Sequence, residues 1–149
     1  MAVAMTGQGA NRPEIHGWAP DADAIEAIAR ATIARLPARF RAHLGDIVFQ
    51  VEEVADDDVL AELGIEHPLD LTGLYQGRPV GEKSSTDTGA MPDRILLYRR
   101  AILDEWIETE VRLDDLVAHV TIHEIGHHFG FSDEDMHALE RTAEQAAGD

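Results

Sequence analysis

His123-Glu124-Ile125-Gly126-His127-His128-Phe129-Gly130-Phe131-Ser132-Asp133 has the form HExxHxxGxxD, and the rest of the chain must supply a core for the helix that bears it. On an α-helix, residues four apart lie on one face, separated by about 6 Å along the axis. His123 and His127 can therefore point at one ion and meet it at a metal–nitrogen distance of about 2.0–2.1 Å. Glu124 projects about 100° further round the helix, better placed to touch a water than to ligate. A carboxylate there can take a proton as water attacks a carbonyl, then return it to the leaving amine.

Gly130 follows His127 by one turn, and glycine suits the left-handed conformation that ends a helix and reverses the chain. That reversal lets Asp133 swing back as a third ligand, leaving a fourth position for water, the donor arrangement of a catalytic rather than a structural zinc. One Zn2+ per chain is therefore expected, on His123, His127 and Asp133, with Glu124 as catalytic base. The alternative for Asp133 is an ordinary first-turn acid behind a Ser132 N-cap, with His137, Glu140 or Glu144 as third ligand instead. Gly126 costs roughly 1 kcal/mol against alanine inside a helix, which points to close packing beneath the site. His119 is expected to pack or hydrogen-bond rather than ligate, and His128 to face the core, with a supporting role behind the metal ligands as its alternative; His16, His43 and His67 look incidental. Tyr75 and Tyr98 are expected in the core or at its rim, with oxyanion stabilisation as the sharper alternative.

Working outward, Leu116-Val117-Ala118-His119-Val120-Thr121-Ile122 is strongly apolar, so the helix from Asp114 to about Phe129 is embedded in the core. A last helix is expected over Asp133 to Ala146, and another over Ala101 to Thr109. Upstream, Ile25, Ile28, Ala29, Ile33 and Leu36 recur at helical spacing behind Asp21 and Asp23. Pro37 interrupts that helix, and Phe40 and Leu44 continue the stripe to Gly45. Ile47 to Glu52, Leu71 to Gln76 and Arg94 to Tyr98 read as strands, and Asp57 to Leu63 as a short helix ended by Gly64. Residues 77–93 form a long polar loop, either a plain connection or a flap beside a cleft. Few strands among several helices, without strict alternation, predict an α+β fold.

The 149 residues fit a single domain over residues 20–149, preceded by a flexible arm over residues 1–19. The apolar fraction of 44% suffices for a core, and aromatics at 5% leave it to Ile, Leu, Val and Ala. A net charge of −17 disfavours nucleic acid and anionic membrane as partners and suits a basic or extended peptide. With no cysteine, disulfides and thiolate ligands are excluded. No apolar run reaches the roughly 18 residues of a membrane span, so the expected location is cytoplasmic. The oligomeric state is not legible from these features.

The HExxHxxGxxD segment resembles that of the Asp-zincins, peptidases holding one zinc on two histidines and an aspartate. Together with Gly73-Leu74-Tyr75 and Pro92-Asp93-Arg94-Ile95-Leu96-Leu97-Tyr98-Arg99-Arg100, it is similar to a narrower bacterial family of minimal zincin-like predicted metallopeptidases, over roughly residues 20–140. The resemblance implies a small mixed β-sheet packed on the active-site helix, with an edge strand above a shallow cleft. It implies His123, His127 and Asp133 as zinc ligands, Glu124 as base, and a peptide or protein substrate. The alternative is a zinc- or peptide-binding module of the same fold with little turnover. One departure from larger zincins is the lack of a methionine turn: Met136 falls three residues past Asp133, inside the last predicted helix.

Overall fold

The computed structural model describes residues 17–45, 47–77 and 93–148. Helix α1, Ala22–Ala34, starts where the Asp21 carboxylate accepts the Ala24 N–H at 2.9 Å, one of the two acids expected there. Pro37 ends its run, and the short α2, Ala38–Arg41, follows. Strand β1, Val48–Glu52, leads to α3, Asp57–Leu63, closed by Gly64 in the left-handed conformation at φ 69°. A 3-10 turn, Pro68–Asp70, precedes β2, Gly73–Gln76. Then come β3, Arg94–Tyr98, and the helices α4, Arg99–Thr109, α5, Leu113–Phe129, and α6, Asp133–Gly148.

Two element starts are displaced by two residues from expectation, for local reasons. The second strand begins at Gly73 rather than Leu71, because Pro68 and the His67 Nδ1, which accepts the Leu69 N–H at 3.1 Å, wind the preceding residues into a turn. Helix α4 begins at Arg99 rather than Ala101, directly off the strand. There the Glu53 carboxylate binds both Arg99 and Arg100, at 3.0 and 3.2 Å. The expected arm at residues 1–19 lies outside the described residues except 17–19, which adopt no regular structure, and the expected loop lies outside them over 78–92.

The fold is α+β. Its sheet is mixed, in the order β1-β3-β2, with β1 parallel and β2 antiparallel to the central strand. Alternation on β3 builds two cores: Ile95 and Leu97 face one side, Leu96 and Tyr98 the other. The larger core joins Ile25 and Ala29 of α1, Val117, Val120, Ile122 and Ile125 of α5, and Leu139 and Ala143 of α6. The smaller one gathers Ala55, Leu60 and Ala101 around Tyr98. Helix α5 is thus buried between the sheet and two other helices, while β2 is the edge strand that lies against Val120, Glu124 and His128. No helix among the described residues is long and apolar enough to cross a membrane.

Candidate metal centre

Asp114 and Asp115 favour the positive end of the α5 dipole, and Gly130 ends the helix at φ 70°. The Phe131 N–H then reaches back to the Gly126 carbonyl at 2.8 Å, the six-residue closure that a left-handed glycine permits. Phe129 and Phe131 stack, and Phe40 packs edge-on against both at 5.3 and 5.7 Å, which anchors this turn to α2.

Two adjacent stripes of α5 carry the site. His119, His123 and His127 form one, with ring centroids 5.7 and 5.4 Å apart along the row. His123 is half-buried and His127 exposed. Burial and the neighbouring His127 and His119 hold the pKa of His123 below the usual imidazole value, keeping it in the neutral form that ligates a metal. The next stripe, Val120, Glu124 and His128, turns toward β2.

Gly73 of β2 is buried against that stripe. A Cβ there would stand 2.8 Å from Val120 Cγ1 and 3.1 Å from Glu124 Cγ, so the edge strand can lie this close only without a side chain. Glu124 is only 9% exposed as a result. Burial raises its pKa to about 7, and a hydrogen bond from the Tyr75 backbone N–H moderates the rise. Its Oε1 lies 4.0 Å from His127 Nε2, beside the pair of histidines.

Asp133 is exposed at the first position of α6. The capping is done by other groups: the Ser132 hydroxyl accepts the Asp135 N–H at 3.2 Å, and the Asp135 carboxylate accepts the Ser132 N–H at 3.4 Å. The Asp133 carboxylate is therefore not committed to the cap, and its negative charge acts on His123, as does that of Glu140. Glu140 itself pairs with His119 and lies 3.8 Å from His137. Gly126 faces α6, where a Cβ would come 2.6 Å from Met136 Cγ. Met136 is buried there, beneath the site helix.

Among the described residues no three His, Asp or Glu side chains converge as a metal-holding group. The donor chemistry nevertheless fits zinc: two imidazoles share one helix face, one kept neutral, with an uncommitted carboxylate acting on it and no thiolate in the chain.

Sequence reasoning left His128 a supporting role as an alternative but did not find its partners in the polar cluster behind Glu124. His128, buried, places Nδ1 3.0 Å from the Asp93 carboxylate and Nε2 3.3 Å from the His43 carbonyl. The Tyr75 hydroxyl donates to the same Asp93 oxygen at 3.1 Å. A further hint in the sequence is Gly73 inside a strand, the usual mark of close approach. Tyr98, by contrast, sits in the smaller core as a packing residue, its pKa pushed up to about 12 by burial and then by Glu52, Asp56 and Glu124.

Comparison with curated proteins finds none that matches. The family model of the zincin-like metallopeptidases matches residues 44–143, which span β1 through most of α6 and every residue of the site, and the chain belongs to that family.

Proposed function

We propose that the protein is a zinc-dependent peptidase of the Asp-zincin type, with His123, His127 and Asp133 as ligands of one zinc and Glu124 as general base. The observation that carries this reading is Glu124: a buried carboxylate beside two neighbouring imidazoles, with a pKa raised to about 7, where a base both accepts and returns a proton readily. A zinc ion held there supplies Lewis acidity toward the scissile carbonyl and toward water. Glu124 takes the proton as water attacks and delivers it to the leaving amine. Gly73 turns its main-chain groups, and Tyr75 its carbonyl, away from β3, so an extended peptide or protein segment can be held along this edge by strand addition. A cytoplasmic location belongs to the same proposal, since a chain without cysteine needs no oxidising compartment to form disulfides.

The rival is a zinc- or peptide-binding module with little turnover, and the lack of a converged third ligand among the described residues favours it. Two substitutions decide. Glu124→Gln keeps shape and hydrogen bonding, so zinc affinity should hold while hydrolysis falls by about 10² or more. Asp133→Ala should release zinc, with activity falling as metal is lost. Zinc content after loading and desalting, read beside a proteomic cleavage screen, checks both. A zinc-loaded wild type that cleaves nothing establishes the binding module. Full metal retention in Asp133→Ala removes that residue from the ligand set.

A further inference from the structure

Glu124 is held from two sides. Its chain packs under Gly73, and its carboxylate takes the backbone N–H of Tyr75. Pairing of β2 with β3 makes that N–H an outward one. The Tyr98 N–H bonds the Thr72 carbonyl at 2.9 Å, so in this antiparallel register residues 72, 74 and 76 bond β3 while 73 and 75 point away from it. Leu74 and Gln76 on either side are paired with β3, and the Tyr75 side chain adds a tether of its own. The hydroxyl donates to Asp93 at 3.1 Å and lies 3.3 Å from His128 Nδ1, and the two rings meet edge to face at 5.6 Å. Asp93 and His128 are in turn 3.0 Å apart, 7% and 2% exposed, and His128 is secured at its other nitrogen by the His43 carbonyl. Asp93 immediately precedes the central strand and His128 stands on α5 one turn past Glu124. The cluster therefore ties edge strand, central strand and site helix at one point.

We propose that Asp93 and His128 are positioning residues that grip the Tyr75 hydroxyl and so hold the Tyr75 backbone N–H on the carboxylate of Glu124. Neither touches substrate; both act through Tyr75. The consequence for turnover rests on the peptidase reading, whereas the grip itself does not.

Amide hydrogen exchange on the full-length chain, without added zinc, tests the grip directly. The Tyr75 amide should be protected, and Glu124→Ala should abolish that protection, identifying the acceptor. Tyr75→Phe, which keeps the ring and loses only the hydroxyl, should speed exchange at position 75 about tenfold, the scale of one lost hydrogen bond, while Leu96 and Leu97 in β3 are unchanged. Asp93→Asn should give a smaller effect, since an amide oxygen can still accept, and Tyr75→Phe/Asp93→Asn should be no faster than Tyr75→Phe alone. Unchanged exchange in Tyr75→Phe, or equal acceleration throughout β3, overturns the proposal. In zinc-loaded protein kcat should fall about tenfold in Tyr75→Phe with KM and zinc affinity unchanged. Faster exchange with an unaltered kcat overturns the catalytic half. A wild type that hydrolyses nothing refutes the peptidase reading instead, and the exchange measurements still decide the grip.

Discussion

A carboxylate enclosed between a helix and a strand edge is comfortable as a neutral acid and uncomfortable as an anion. The pKa of Glu124 is raised from 4.5 to about 7 for that reason, so between those values the folded chain binds more protons than the unfolded one. Stability contributed by this group is therefore present below pH 4.5, falls as pH rises through the window, and is fully lost above about 7. Glu124→Gln removes the penalty. In metal-free protein it should match wild type at low pH and exceed it at pH 8 by about 3 kcal/mol. Thermal denaturation of both proteins across pH checks this; a variant less stable than wild type at pH 8 would show that Glu124 is held by favourable partners, not strained by burial. At this scale the sequence was legible where one helical turn sufficed. His123, Glu124 and His127 are placed relative to one another by helical periodicity alone. Tyr75 is not, because its hydroxyl partners lie 18 and 53 positions away and meet it only through tertiary structure.

Helix α6 lies against α5 through Met136, and Gly126 is the position that admits it. A Cβ on Gly126 would stand 2.6, 2.8 and 3.0 Å from Met136 Cγ, Cε and Sδ. The methyl end of a methionine can swing aside, but Cγ is close to the backbone of α6 and moves only with the helix. Alanine gains up to ~1 kcal/mol of helix propensity, yet overpacking of this kind costs typically ~1–3 kcal/mol. Gly126→Ala should thus be destabilising in urea unfolding, and much of the loss should be absent when Met136→Ala is the background. Additive effects would place the strain elsewhere. Periodicity and punctuation predicted the strands and α-helices described here to within a few residues, including the ends at Gly64 and Gly130, but not the 3-10 turn at Pro68–Asp70. The sheet order was beyond such reasoning. That β2 crosses to the far edge of β3, and so reaches Glu124, depends on which faces pair, and alternation along one strand does not encode its neighbour.

Over the whole molecule, 29 acidic residues face 12 basic ones. Part of the excess is put to use at helix N-termini: Asp57 and Asp58 open α3, Asp114 and Asp115 open α5, and Asp133, Glu134 and Asp135 open α6. Cationic partners are few among the described residues, as with Arg30–Glu26 and Arg112–Asp114, and those pairs are exposed. Salt acts on both contributions, but unequally. The dipole contacts operate within one helical turn, whereas repulsion among scattered acids acts over distances beyond the ~10 Å screening length at 0.1 M, so screening relieves the repulsion more than it weakens the caps. Raising NaCl from about 10 mM to about 500 mM should therefore raise the Tm of metal-free protein by a few degrees, corresponding to about 1 kcal/mol for a chain of this size. Capture of zinc should respond with the opposite sign. The field of a chain at −17 draws cations toward His123 and His127 from a distance, and that attraction is the part screening removes. One salt series with two readouts, Tm by calorimetry and zinc association rate by stopped flow, should show the first rise as the second falls. A Tm that falls with salt would mean that the short-range helix-end contacts outweigh the net charge.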